Sequence, residues 1–229
     1  MSKCLIFDAD DTLWENNIYF LRAIEEFLEL IAPLAPNRSE VLKALSAVEK
    51  ELIPRGGYGS RNFLRALEET FRRFYAGSDG WAYLQGIGQI GERLRSHPMQ
   101  LLPGVASILQ SLRLKHRLML FTKGDQEEQS NKIGRSGLQD YFDRLEIVEE
   151  KHTLAYQRLI QSHQLSPQHT FMIGNSPRSD VAPALAAGLW AVYVPHRHTW
   201  ELEHEEVKPH PRLLVAASIQ EIPALLASF

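Results

Sequence analysis

Lys3-Cys4-Leu5-Ile6-Phe7-Asp8-Ala9-Asp10-Asp11-Thr12-Leu13-Trp14 is the stretch that decides the fold. Cys4 to Phe7 is a short apolar run, the mark of a strand buried on both faces. It ends abruptly in Asp8, Asp10 and Asp11. In an open parallel α/β sheet, ligands bind outside the carboxyl ends of the strands. A buried strand that delivers carboxylates to that edge is therefore a catalytic candidate. The competing reading is an Asp-rich turn or a helix cap, and only the rest of the chain separates the two.

Moving outward, the pattern changes after Trp14. From about residue 16 to 97 there is almost no strand signal. Ile18, Leu21, Ile24, Leu28 and Ile31 follow helical spacing, and Pro33 and Pro36 end that helix. Ser39 and Glu40 open a second helix through Val41, Leu45, Val48 and Leu52, stopped by Pro54. Residues 55–61 read as a Gly-rich loop. A third helix spans about Asn62 to Tyr75, the Gly77–Gly80 stretch with Ser78 breaks it, and a fourth runs from about Trp81 to Arg95. Four amphipathic helices in a row predict a small four-helix bundle.

From Leu101 onward, strands and helices alternate. The strands are Arg117–Phe121, Leu145–Val148, Thr170–Ile173, Trp190–Val194 and a short Leu213–Val215. A Ser218-capped helix closes the chain. Such alternation predicts an α/β fold, a parallel sheet with helices on both faces in three layers. The domains are then a core of residues 1–15 and 98–229, and a helical insert of residues 16–97.

The totals are those of an ordinary globular protein of 229 residues, 44% hydrophobic and 23% charged. A net charge of −3 gives no reason to expect nucleic acid or membrane partners. One cysteine, Cys4, allows no internal disulfide and fits a reducing cytoplasm. The early aspartates interrupt any signal-peptide pattern, and no apolar run approaches the roughly 20 residues of a membrane span. Oligomeric state is not readable.

Four strands deliver polar groups to one edge: Asp8 and Asp10, then Thr122, then Lys151, then Asn175 and Asp180. Oxygen ligands bind a hard cation such as Mg²⁺. A lysine, a hydroxyl and backbone amides hold a dianion beside it. Carboxylates alone would repel a phosphate, so cation and lysine are both required. Lys123, directly after Thr122, rivals Lys151 for the lysine's part.

In these motifs the chain resembles the haloacid dehalogenase-like superfamily over nearly its whole length. Asp8-Ala9-Asp10-Asp11-Thr12 matches the first motif, Thr122 the second, Lys151 the third, and Gly174-Asn175-Ser176 through Asp180 the fourth. The resemblance implies a Rossmann-like core with a helical cap, and a phosphatase acting on a small phosphorylated metabolite with Mg²⁺ as cofactor. It makes Asp8 the nucleophile and Asp10 the general acid and base. Thr122 and Lys151, with Lys123 beside them, would bind phosphate. Asp8, Asp10 (through its main-chain carbonyl), Asn175 and Asp180 would serve the metal. Cap-loop residues Arg55, Tyr58 and Arg61 would read the substrate. Family phosphatases commonly have aspartate where Asn175 stands, so Asp180 is expected to carry the remaining charge. The family's dehalogenases lack the second aspartate, so Asp10 favours phosphoryl transfer. A β-phosphoglucomutase-like phosphotransferase and a catalytically weak binding or regulatory protein are the alternatives.

Two other signals lead elsewhere. Gly86-Ile87-Gly88-Gln89-Ile90-Gly91 matches G-x-G-x-x-G but lacks the preceding strand and the later acidic residue. It reads as close helix packing. His196, His198 and His204 raise a zinc site, but Lys208 breaks the H-E-x-x-H pattern. A surface loop is the better reading, with His196 or Trp200 able to border the active site.

Overall fold

Six parallel strands form one sheet in the order β3-β2-β1-β4-β5-β6. They are β1 (Cys4–Phe7), β2 (Arg117–Lys123), β3 (Arg144–Val148), β4 (Thr170–Gly174), β5 (Trp190–Tyr193) and β6 (Leu213–Val215). The coordinates are a computed structural model that describes residues 2–77 and 79–229. Met1 of the core segment and Ser78 of the helix-breaking stretch lie outside them. The chain divides into two compact units, Met1–Asn17 with Met99–Phe229, and Ile18–Pro98.

In the first unit β1 is central, pairing with β2 on one side and β4 on the other. That is why its four residues are all apolar: neighbours cover both edges and helices cover both faces. Leu5 and Phe7 point into one core with Val105 and Leu109 of α5 (Val105–Arg113) and Ile133 of α6 (Gln126–Ser136). Cys4 and Ile6 point into the other, with Tyr156 and Leu159 of α7 (Thr153–His163) and Ala184 of α8 (Ala182–Ala186). Leu5, Ile6 and Phe7 are each 0% exposed, and burial of such side chains is worth about 1.5–3 kcal/mol apiece. The chain order of the strands reverses between β1 and β4. In a doubly wound sheet this is the crevice where ligands bind.

Cys4 shows what the two-sided burial does to a reactive group. Its Sγ lies 3.5 Å from Met119 Sδ, and burial pushes the thiol up from 9.0 to about 11, with Arg117 opposing. The thiolate is the reactive form, so a shift of this size lowers its population about a hundredfold below pH 9. Iodoacetamide at pH 8 should therefore label Cys4 at least about a hundredfold more slowly in the native protein than in denaturant. Equal rates would contradict the buried placement.

The second unit is helical: α1 (Asn17–Ile31, whose first residue belongs to the other unit), α2 (Arg38–Gly56), α3 (Ser60–Phe74) and α4 (Trp81–Ser96). Phe27, Ile31, Val41, Val48, Phe71 and Ile87 lie in its core. Two boundaries differ from the sequence reading. Asn37 caps α2, accepting the Glu40 N–H, and Pro54 does not stop it. Proline here forgoes one bond, the one its N–H would make to Lys50 O, yet α2 runs on through Gly56, and the Gly57 N–H still reaches Ile53 O at 2.9 Å. Arg55 and Gly56 are thus helical, and the loop shrinks to residues 57–59. The glycine-rich motif lies inside α4. A Cβ on Gly86 would sit 2.8 Å from Leu30, and one on Gly91 2.7 Å from Leu64. These glycines serve close helix packing.

At the other end of the chain, Ser218 makes no side-chain cap. The last helix, α9, is a short Ile222–Leu226 segment after a 3₁₀ turn. Among the described residues no helix is long and apolar enough to cross a membrane.

Candidate active site

The chain leaves β1 through a tight turn. The Asp8 N–H still pairs with Ile173 O of β4 at 2.9 Å, which seats Asp8 at the strand end. Thr12 N–H and Leu13 N–H both return to Ala9 O, and Asp11 takes φ +60 to close the turn. Aspartate tolerates that left-handed conformation better than most residues. The turn folds Thr12 back so that its hydroxyl lies 3.0 Å from Asp8 Oδ2 and 3.2 Å from Asn175 Oδ1.

Lys151 follows β3 and its side chain is 1% exposed. Its ammonium donates to Asp8 Oδ1 at 2.5 Å and Asp180 Oδ1 at 2.7 Å. It also lies over the Phe121 ring, 5.6 Å from the centroid. Burial alone would lower the pKa of this lysine. The charges of Asp180 and Asp8 overturn that and hold it above the ordinary value, so the ammonium stays charged. Asp180 lies in a single π-type turn, Pro177–Val181, after β4. Burial lifts its carboxyl to about 7, Asp8 adds to this and Lys151 opposes it. Its second oxygen accepts the Ser176 N–H at 3.0 Å. Gly174 has to be glycine here, because a Cβ would lie 2.2 Å from Asp180 Oδ2.

Asn175 is oriented by its neighbours. Thr199 Oγ1 donates its one proton to His196 O at 2.9 Å, so it can only accept from Asn175 Nδ2, 3.1 Å away. The amide nitrogen is therefore turned to Thr199 and the carbonyl oxygen toward the Thr12 hydroxyl. Thr122 is 1% exposed in β2, two residues beyond Leu120, the partner of Phe7, and so points the strand end at the same edge.

Asp10 faces a different way. Its carboxylate receives Lys132 Nζ at 2.8 and 2.6 Å, Gln129 Nε2 at 2.9 Å and Trp14 Nε1 at 2.7 Å. Burial would raise this carboxyl's pKa. The charge of Lys132, with the hydrogen bonds from Lys132, Gln129 and Trp14, overcomes it and holds the group below the ordinary value.

The two candidate phosphate lysines are separated by their partners. Lys151 lies against Asp8. Lys123 Nζ instead meets Glu203 Oε1 at 2.6 Å, Glu150 Oε1 at 3.2 Å and Ser179 Oγ at 2.9 Å. Glu203 also accepts the Ser176 and Ser179 hydroxyls. Burial works against its charge, but Lys123 and the two hydroxyls hold its pKa below the ordinary value. The Lys123–Glu203 pair thereby ties the 201–203 turn to the loop that carries Asn175 and Asp180. Removing one member of a buried pair strands the other. Glu203→Ala should cost about 2–4 kcal/mol in urea unfolding, whereas a loss under about 0.5 kcal/mol would show the pair to be superficial.

The family model for haloacid dehalogenase-like hydrolases matches residues 2–188. The chain belongs to the haloacid dehalogenase-like hydrolases. The N-acylneuraminate-9-phosphatase of Mus musculus is 29% identical over 240 residues, covering 99% of this chain and 94% of that protein. Pyrimidine 5'-nucleotidase YjjG of Escherichia coli is 29% identical over 205 residues, 85% of this chain and 86% of that one. Among solved structures, a haloacid dehalogenase-like family hydrolase from Xanthomonas campestris matches with a TM-score of 0.86 at 30% identity, covering 99% of this chain and 91% of that one.

As a haloacid dehalogenase-like hydrolase, the chain brings Asp8, Lys151, Asn175 and Asp180 into one hydrogen-bonded cluster, Thr12 joining Asp8 to Asn175 and Lys151 joining Asp8 to Asp180. Asp10 is linked to α6 instead. Arg55, Tyr58 and Arg61 belong to the helical unit: Arg55 in the last turn of α2, Tyr58 in the short loop, Arg61 in the first turn of α3. The His196 and His198 rings meet edge to face, 5.7 Å between centroids, and His204 turns to the backbone instead. The His196 ring has Nδ1 3.6 Å from Asp11 Oδ1 and Nε2 3.3 Å from Glu15 Oε2, while His204 Nε2 lies 3.1 Å from Thr199 O. Asp11, Glu15 and His196 bring one ligand atom each within 4.8 Å of one another.

Sequence reading missed Gln129, Lys132, Thr199 and Glu203. For the first two a signal was present. The buried face of α6 is Gln129, Lys132, Ile133 and Ser136, helical spacing filled mostly by polar residues. A core-facing stripe that carries Gln and Lys calls for a buried acidic partner. Nothing local marks Thr199 or Glu203.

Proposed function

We propose that the chain is a Mg²⁺-dependent phosphatase that hydrolyses a small phosphorylated metabolite through an aspartyl-phosphate on Asp8. One observation carries this reading: a buried lysine held charged between Asp8 and Asp180 at the carboxyl edge of the sheet. A dianion arriving there meets the Lys151 ammonium, with Asp8 beside it as the nucleophile.

The donor set fits a hard cation. Asp8 offers a carboxylate, Asn175 a carbonyl oxygen turned inward by Thr199, and Asp10 a main-chain carbonyl, its side chain being engaged with α6. These are the oxygen ligands that Mg²⁺ prefers. Asp180, saturated by Lys151 and Ser176, contributes charge from behind. The cation would supply charge neutralisation for the transferring phosphoryl group.

The remaining steps belong to the chain. An Asp8 oxygen attacks phosphorus and the bond to the ester oxygen breaks; Asp10, ionised at rest beside Lys132, takes up a proton from solvent as substrate binds and passes it to the leaving oxygen. Asp10 then removes a proton from the water that attacks the phosphoryl group, releasing phosphate and restoring Asp8. Lys151 and Thr122 hold the phosphoryl oxygens, and Lys123 acts in support by fixing the loop after β4. We read the helical unit as the cap, with Arg55, Tyr58 and Arg61 reading the substrate. The named activities of the relatives support a sugar or nucleoside phosphate as substrate class, and a cytoplasmic location accords with it.

A chromogenic phosphate ester with Mg²⁺ tests the reading. Turnover should be abolished by EDTA and restored by Mg²⁺, and a panel of sugar phosphates and nucleoside monophosphates should then rank the substrates. Absence of turnover across esters and divalent metals would refute it.

A further inference from the structure

The polar inner face of α6 has a cost that its packing does not explain. Burying an ammonium is unfavourable by several kcal/mol unless it is well paired, and an apolar residue would fill the same volume without that penalty. Lys132 is nonetheless 5% exposed. Its Nζ lies between both oxygens of Asp10, at 2.8 and 2.6 Å, and Asn16 Oδ1 at 3.0 Å. Gln129, one turn earlier, donates to Asp10 Oδ2 at 2.9 Å and to Lys123 O at 3.1 Å. Trp14 Nε1 completes the set on Asp10 Oδ1 at 2.7 Å. The backbone makes room for this: Gly124 has φ +141, and a Cβ there would sit 2.9 Å from Gln129 Nε2. Every one of these donors points at one carboxylate.

We propose that Lys132, seconded by Gln129, is the positioning residue for Asp10, fixing one rotamer of its carboxylate against α6. The proposal rests on the phosphatase reading, in which Asp10 handles the proton of both half-reactions. An aspartate in a tight turn has several rotamers within reach. Four hydrogen bonds to its two oxygens leave one. Misplacement of a reacting group by about 1 Å costs on the order of 10²-fold in rate, which sets the scale of what the clamp secures.

The test compares wild type with Lys132→Met, Lys132→Arg, Asp10→Asn and the double variant Asp10→Asn/Lys132→Met, using a chromogenic phosphate ester with Mg²⁺. Lys132→Met should lower kcat about 10–100-fold with KM changed less than about threefold, because Lys132 acts on Asp10 and not on the substrate. Lys132→Arg should recover part of the loss. In the Asp10→Asn background, Lys132→Met should change the rate less than about twofold, since residues acting as one unit are not additive. Should Lys132→Met not fold, Gln129→Leu, which keeps the ion pair, should show a smaller loss with the same dependence on Asp10. Wild-type or raised kcat in Lys132→Met would overturn the proposal, as would an equal loss with and without Asp10. Absence of turnover in wild type would refute the phosphatase reading and the proposal with it.

Discussion

Asp8→Asn should lower phosphate-ester turnover by at least about 10⁴-fold while leaving the protein folded. Asparagine keeps the shape and can still accept from Thr12, 3.0 Å from Oδ2 in the native side chain. What it lacks is the anionic oxygen that attacks phosphorus. Stability should hold, because Lys151 retains Asp180 at 2.7 Å. The two electrostatic effects of the substitution oppose each other, since Lys151 loses one of its two charged partners while the Asp180 carboxyl is relieved of a neighbouring charge. Loss of activity with an unchanged melting temperature separates a missing nucleophile from a broken fold. More than about 1% residual activity would contradict the nucleophile assignment.

Lys151→Met should have the second largest effect, and here activity and stability fall together. Methionine fills the volume but leaves Asp8 and Asp180, both in hydrogen-bond reach of the lost nitrogen, facing each other without a cation. Two carboxylates so placed cannot both stay ionised, and the pair takes up a proton. If that proton sits on Asp8, the nucleophile is neutral; if on Asp180, the phosphoryl group still meets an uncompensated charge. Loss of the ammonium should lower kcat about 10²–10³-fold and cost about 3 kcal/mol in stability. The sign of the pH dependence follows from the raised pKa. Wild-type stability from Lys151 is present throughout neutral pH and is lost only as pH rises through the folded value, above the ordinary lysine range. The deficit of Lys151→Met should therefore persist at pH 9 and shrink in acid, as its two carboxylates protonate. A variant with wild-type stability at pH 7 would contradict the buried pair.

The parts of this fold that were legible from residues are those where one local pattern has one physical cause. Cys4–Phe7 reads as a central strand because only a strand covered on all sides can be apolar throughout. The polar residues after each strand could be assigned to one edge because parallel strands share a direction. Helix ends were read less well. Pro54 looked like a terminator, yet α2 continues past it to Gly56 at the loss of one N–H bond. Ser218 looked like a cap, yet its side chain bonds nothing in the turn that follows. The site was legible in its members and not in its pairings. Residue order left Lys123 and Lys151 as rivals, and only the fold gives one to Glu203 and the other to Asp8. The polar stripe on α6 signalled a buried acidic partner, but not that the partner is Asp10, 122 residues away in the chain. Asn175 looked like a weakness by itself. Its oxygen is aimed by Thr199, whose own proton is committed elsewhere.

The most direct measurement is chemical trapping of the intermediate. Wild-type protein and Asp10→Asn would be mixed with a ³²P-labelled phosphate ester and Mg²⁺, quenched in acid within one turnover, and digested. If Asp8 is the nucleophile, label appears on the peptide that contains Asp8 and is released by hydroxylamine, which cleaves acyl phosphates. It accumulates further in Asp10→Asn, where the hydrolytic water lacks its base, and is absent from Asp8→Asn. Turnover of the ester with no label on that peptide, or with label retained in Asp8→Asn, would contradict an aspartyl-phosphate on Asp8.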